Sequence, residues 1–131
     1  MFYYLSYSQL LLIHDLALSK GGGGAPGIRD DGLLRQLADK PRMSLYGQDQ
    51  FKTVFDKAGC YFQGIATRHP FIDGNKRTGF LSGISFLILN GYQSTIVYDK
   101  TVENYAVKLA DEKIPVSDVA EWFKRHSKKD K

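Results

Sequence analysis

One short loop is the most informative part of this chain: His69-Pro70-Phe71-Ile72-Asp73-Gly74-Asn75-Lys76-Arg77-Thr78-Gly79. It brings together an imidazole, a carboxylate, a Gly-Asn turn and two adjacent cations. The segment that follows, Arg77 to Leu89, is apolar on several faces, and a helix of that kind belongs at the centre of a bundle. The order therefore predicts a polar loop at the N-terminus of a buried helix.

Outward from this loop, apolar side chains recur at helical spacing on both sides. Ser8 is the expected N-cap of the first helix, Asp30 or Asp31 that of the second, and the Ser117/Asp118 region that of the last. A short extended piece is expected over Ser94 to Tyr98. Together these signals predict an all-α fold, a compact bundle of about six helices with the signature loop before its central helix.

Length and composition predict a single domain over residues 1–131. The net charge is +4, with several cations close to the end of the chain, and a basic, solvated tail is expected from about residue 125. Neither helix-turn-helix nor zinc-ligand spacing is visible, so no specific nucleic-acid partner is expected. No membrane span, no signal peptide and a single cysteine, Cys60, predict a cytoplasmic protein without a disulfide.

Two residues of the loop suit proton and metal chemistry. His69 can act as a general base near neutral pH, although a lone histidine at a helix end is more often a capping or core group. Asp73, four residues on, can hold Mg²⁺, which accepts one or two protein carboxylates and takes its other ligands from phosphate and water. The alternative for Asp73 is an ordinary Asp-Gly turn.

The other loop residues suit an anion. Gly74 and Asn75 let the backbone approach a ligand closely, Asn75 can cap the next helix, and amides at a helix start attract negative charge. Lys76 and Arg77 would oppose the helix dipole there unless an anion is bound. Phe71 is expected to anchor the loop in the core.

The loop resembles the central motif of the Fic/Doc family, and its Asn-Lys-Arg-Thr ending is similar to the Doc branch. The resemblance extends upstream to His14 in the first helix and to the run from Gly23 through Gly27-Ile28-Arg29-Asp30 to Gly32-Leu33-Leu34. It covers most of the chain, from about Leu5 to Phe123. It implies the Fic/Doc fold and a bacterial toxin–antitoxin (death-on-curing) protein.

For the reaction, the resemblance implies transfer of the terminal phosphate of ATP to a threonine of translation elongation factor Tu, which would block translation. Lys76 replaces a glycine, and Phe80 an arginine, of the Fic pattern associated with AMP transfer. The implied catalytic residues are His69, Asp73, Lys76 and Arg77; the implied nucleotide-binding residues are Phe71, Gly74, Asn75, Lys76 and Arg77; and the implied Mg²⁺ ligand is Asp73.

Inhibition within the chain is not expected, because the nearest match to the family's inhibitory motif, Ser117 to Glu121, departs from it at Trp122. The resemblance therefore implies a separate antitoxin. Two other functions stay open: AMP transfer to a protein hydroxyl, and a catalytically dead binding module. His14 is expected to be a hydrogen-bonded structural group whose partner lies near Arg29-Asp30, and Cys60 is expected to be buried and inert.

Overall fold

A computed structural model describes residues 1–130. Within them the chain forms six α-helices, a 3₁₀ turn and four short strands. The helices are α1 Tyr7–Lys20, α2 Asp31–Asp39, α3 Val54–Arg68, α4 Asn75–Leu89, α5 Lys100–Asp111 and α6 Val116–Arg125; the turn is Lys40–Arg42; the strands are β1 Ser44–Leu45, β2 Gln48–Asp49, β3 Tyr92–Ser94 and β4 Ser127–Lys129. The prediction of an all-α bundle of about six helices is confirmed.

The helices α3 and α4 form the centre of the bundle and pack closely against each other, with α1, α5 and α6 around them. Small residues permit this approach. A Cβ atom at Gly79 would lie 2.9 Å from the carbonyl oxygen of Phe62 and 3.2 Å from the amide nitrogen of Ala66. Next to this crossing, the ring centroid of Phe62 lies 5.8 Å from that of Phe80 and 5.7 Å from that of Phe123. The signature loop joins the two helices at the centre of the bundle, as the sequence predicts.

Side-chain caps set most of the helix starts, but not always where the sequence predicts them. Ser6, rather than Ser8, caps α1, because its hydroxyl accepts a hydrogen bond from the Gln9 amide (3.1 Å) while the Gln9 side chain accepts one from the Ser6 amide. Asp30 caps α2, as expected. The prediction for α6 is wrong: Pro115 occupies its N-cap position and no side chain caps it.

Two small antiparallel sheets complete the fold. β1 pairs with β2, and β3 pairs with β4, with Tyr92 opposite Lys129 and Ser94 opposite Ser127. The extended piece lies slightly earlier than expected, over β3. The end of the chain also differs from the expected solvated tail: β3 offers an open edge, so the backbone of β4 pairs with it, while the side chains of Lys128 and Lys129 stay exposed.

Two side chains of α3 that carry ionisable groups, Cys60 and Lys57, are buried in the core. Cys60 is buried as expected, and burial raises the pKa of its thiol to about 12, which keeps it protonated and unreactive. Lys57 is fully buried, and its Nζ donates to the carbonyl oxygen of Pro41 (3.0 Å) and to the carboxylate of Asp49 (3.3 Å).

No helix among residues 1–130 is long and apolar enough to cross a membrane.

The close approach of α3 and α4 can be tested by adding a methyl group at Gly79. We expect Gly79→Ala to lower the free energy of unfolding by about 1–3 kcal/mol, because its methyl group would meet backbone atoms that cannot move independently. Urea unfolding measures the change. Gly32→Ala is the matched control, since a Cβ atom there has its nearest neighbour at 3.7 Å and alanine favours a helix. Equal stability of Gly79→Ala and wild type would contradict the packing described here.

Candidate active site

The signature loop is closed by the side chain of Asn75. Its Oδ1 accepts a hydrogen bond from the Phe71 amide (3.0 Å), and its Nδ2 donates to the Phe71 carbonyl oxygen (2.9 Å). Both residues are buried. The expected cap of α4 by Asn75 is therefore wrong: Gly74, at a φ of 79°, takes the N-cap position and Asn75 is the first helical residue. Its side chain shapes the loop and leaves its backbone N–H at the helix start.

His14 on α1 supports the same loop through contacts with Asp73 and Phe71. It is buried, and its Nε2 lies 2.8 Å from the carbonyl oxygen of Asp73, so Nε2 carries the donated proton. Its ring stacks on that of Phe71, with centroids 3.8 Å apart. The expected partner near Arg29-Asp30 is wrong, because the side of α1 that carries His14 faces the loop.

The segment between α1 and α2 lies along the other side of the loop. The amides of Arg29 and Asp30 donate to the Pro70 carbonyl oxygen (2.8 and 3.1 Å), and the Ile72 amide donates to the Gly27 carbonyl oxygen (3.1 Å). The Arg29 guanidinium also donates to the carbonyl oxygens of Arg68 (2.8 Å) and His69. A cation at the last carbonyls of α3 complements the helix dipole and secures the turn that presents His69.

His69 is presented to solvent immediately after α3. Its backbone is left-handed, with φ 56° and ψ 62°, and its side chain is exposed. Partial burial and the nearby charges of Lys76 and Arg29 lower the pKa of the imidazole below its usual value of 6.5. At pH 7 the neutral form of the imidazole, which can accept a proton, therefore predominates.

Asp73 is exposed and held at two points. One carboxylate oxygen accepts a hydrogen bond from the Ala25 amide (2.8 Å), and its backbone carbonyl oxygen meets His14. Among residues 1–130 no group of three or more His, Cys, Asp or Glu side chains could enclose a metal ion. An exposed carboxylate such as that of Asp73 is the type of single protein ligand that Mg²⁺ accepts when phosphate and water supply its other ligands.

A cavity of about 350 Å³ lies at the N-terminus of α4. Gly74, Asn75, Lys76 and Arg77, all predicted to contact a nucleotide, line it. The first N–H groups of a helix have no acceptor within it, and together with the two cations they favour an anion. Phe71, also predicted to contact a nucleotide, is fully buried and does not line this cavity; its ring supports the loop instead.

Among the further residues that line this cavity, sequence reasoning missed two with polar side chains, Tyr98 and Glu103. The guanidinium of Arg77 lies over the Tyr98 ring, with its carbon 4.4 Å from the ring centroid. Both residues are distant from the loop in sequence, and no local pattern marks them. His14 and Arg29 did carry a signal, since each falls in the upstream pattern that accompanies the loop.

Known proteins resemble the chain over most of its length. The family model described as "Fic/DOC family" matches residues 4–87. "Toxin Doc" of Mycolicibacterium smegmatis is 34% identical over 96 residues, which are 73% of this chain and 71% of that protein. "Protein kinase doc" of Escherichia phage P1 is 30% identical over 123 residues, or 93% of this chain and 94% of the phage protein.

The closure of the loop can be tested by truncating Asn75. We expect Asn75→Ala to lower the free energy of unfolding by about 1–3 kcal/mol, because it leaves a buried N–H and a buried C=O of Phe71 without partners. Urea unfolding measures this loss. Asn104→Ala, at an exposed site on α5, should leave stability almost unchanged. Equal effects of the two substitutions would contradict the role given to Asn75.

The electrostatics of His69 can be tested by NMR titration of its imidazole. We expect a pKa below 6.5 in the wild-type protein, and a higher pKa in Lys76→Met, because removal of a neighbouring positive charge makes protonation easier. Lys128→Met, on β4 beyond the opposite end of α4, should leave the pKa of His69 unchanged. An unaltered pKa in Lys76→Met would show that Lys76 does not act on the imidazole.

Proposed function

The chain belongs to the Fic/DOC family, and from that premise we propose that it is a Doc-type toxin that transfers the terminal phosphate of ATP to a threonine hydroxyl of a translation elongation factor. Relatives named as a toxin and as a protein kinase support a toxin with transferase activity. One observation carries the proposal: a single loop presents an exposed imidazole, His69, and leads into a cavity at the start of α4 that Lys76 and Arg77 line.

In the proposed reaction His69 acts as the general base. An imidazole nitrogen of His69 accepts the proton of the threonine hydroxyl as its oxygen attacks the terminal phosphorus of ATP. The new O–P bond forms while the bond between that phosphorus and the bridging oxygen of ADP breaks, and ADP leaves. The lowered pKa of His69 keeps its imidazole unprotonated before the reaction. Such a base contributes roughly 10²- to 10⁴-fold to the rate.

The other loop residues bind and orient the phosphates. Lys76, Arg77 and the first amides of α4 would hold the phosphate oxygens in the cavity. Asp73 would hold Mg²⁺, which when bound neutralises phosphate charge and orients the phosphate chain. The Ala25 amide keeps the Asp73 carboxylate in place before any ligand binds, so less ordering is needed on binding.

Two positions favour phosphate transfer over AMP transfer. Lys76 adds a cation where the Fic pattern has a glycine, so charge is concentrated at the helix start. Phe80, which stands where that pattern has an arginine, is buried and packs against Phe62, so this position offers no cation to the cavity. Transfer of AMP remains the second candidate, and the two reactions leave different groups on the target.

The remaining parts of the proposal concern partners and location. A relative named as a toxin supports the presence of an antitoxin, and we propose that a separate antitoxin inhibits this chain in trans. The proposed substrate is elongation factor Tu, a cytoplasmic protein, so the proposed site of action is the bacterial cytoplasm. Arrest of translation would then follow from modification of that factor.

The test is the intact mass of purified elongation factor Tu after incubation with the protein, ATP and Mg²⁺. We expect a gain of one phosphate with wild type and with His126→Ala, the matched histidine control, and a loss of roughly 10²- to 10⁴-fold in rate with His69→Ala. Circular dichroism of each variant establishes that it is folded.

A gain of one AMP would contradict phosphate transfer and establish the AMP transferase function. No gain with a folded wild-type protein would contradict elongation factor Tu as the target. Equal activity of His69→Ala and wild type would contradict the role of His69 as the general base.

A further inference from the structure

The guanidinium of Arg77 lies close to two parts of the fold outside the signature loop. One is the ring of Tyr98, whose centroid is 4.4 Å from the guanidinium carbon. Gly21, just after α1, is also close, since a Cβ atom there would lie 3.2 Å from Nε of Arg77. The Tyr98 ring is half-buried and packs against Phe80, with centroids 5.8 Å apart. The core therefore holds the Tyr98 ring in place, and the ring also contacts the Arg77 guanidinium.

The guanidinium donors have no acidic partner. Among residues 1–130 no carboxylate oxygen lies within 4.0 Å of Arg77, and its guanidinium makes no hydrogen bond to the protein. Glu103 lines the same cavity, but its carboxylate lies 3.8 Å from Nζ of Lys100 on the same helix. The face of an aromatic ring attracts a guanidinium without accepting a conventional hydrogen bond from it, so the ring does not occupy the N–H donors as a carboxylate would.

We propose that Tyr98 is a positioning residue that holds the Arg77 guanidinium at the cavity, with its N–H donors ready to bind the oxygens of a polyphosphate chain. A carboxylate in place of the ring would also hold the arginine, but it would neutralise the charge and occupy the donors. The ring restricts the side chain without either effect, so less rotational freedom is lost when the anion binds. This inference rests on the proposed function, which assigns the cavity to the phosphates of ATP.

The test uses binding of inorganic tripolyphosphate to the full chain, without metal or acceptor protein, measured by isothermal titration calorimetry at low salt. We expect Tyr98→Leu to weaken binding about three- to tenfold, because the contact of the guanidinium with the ring is lost. Tyr98→Phe keeps the aromatic face and should bind within twofold of wild type. Tyr98→Met, with a flexible side chain that fills the same space, should repeat the loss and serves if the leucine variant does not fold.

A double-mutant cycle separates positioning from a general effect on structure. In an Arg77→Gln background, where Lys76 and the helix start still bind the anion, Tyr98→Leu should cause no further loss. An equal loss in both backgrounds would overturn the inference, since Tyr98 would then act independently of Arg77. Failure of the wild-type protein to bind tripolyphosphate, or full affinity in both Tyr98→Leu and Tyr98→Met, would overturn it as well.

The cycle also distinguishes this inference from the proposed function. Binding of tripolyphosphate requires neither an acceptor hydroxyl nor a proton transfer to His69. Suppose that the effects of Tyr98 and Arg77 on tripolyphosphate affinity depend on each other, as expected, but the wild-type protein modifies no elongation factor. That result would contradict the proposed target and support the role of Tyr98. A protein that modifies the factor but shows no coupling would contradict the role of Tyr98 alone.

Discussion

The hydrogen bonds between the Asn75 side chain and the backbone of Phe71 are the constraint on which the site depends. They close the loop between α3 and α4 into one shape, and those helices are fixed relative to each other by the close contact at Gly79. With both ends held, the loop must present His69 outward and leave the first amides of α4 open. His14 and the Arg29 segment then support it from two sides.

Among residues 1–130, the cations of this site, Arg29, Lys76 and Arg77, form no salt bridge. Lys76 and Arg77 line one cavity at the positive end of α4, and Arg29 is bonded to backbone carbonyls rather than to a carboxylate. Such an arrangement opposes the helix dipole and is stabilised when an anion binds. Partial burial, together with the charges of Lys76 and Arg29, lowers the pKa of His69. One arrangement would thus serve both the proposed binding of phosphate and the proposed base.

The sequence predicted much of this site because the relevant residues lie close together in the chain. Helical spacing located the central pair of helices, and residue chemistry singled out His69 and Asp73, whose roles stay predictions. Contacts that depend on distant segments could not be predicted in the same way. The partner of His14, the ring over Arg77 and the strand formed by β4 arise only when the helices pack. The hydrogen bonds from the Asn75 side chain to Phe71 could not be predicted for another reason. An asparagine that follows a glycine is equally suited to cap a helix.

The most direct measurement is the fate of each phosphate of ATP in a complete reaction with the elongation factor. With label on the terminal phosphate, we expect the label to enter the protein and ADP to accumulate in equal amount. With label on the α-phosphate, the protein should stay unlabelled. Label from the α-phosphate in the protein, with release of pyrophosphate, would contradict the role assigned here to Lys76, Arg77 and the cavity at the start of α4.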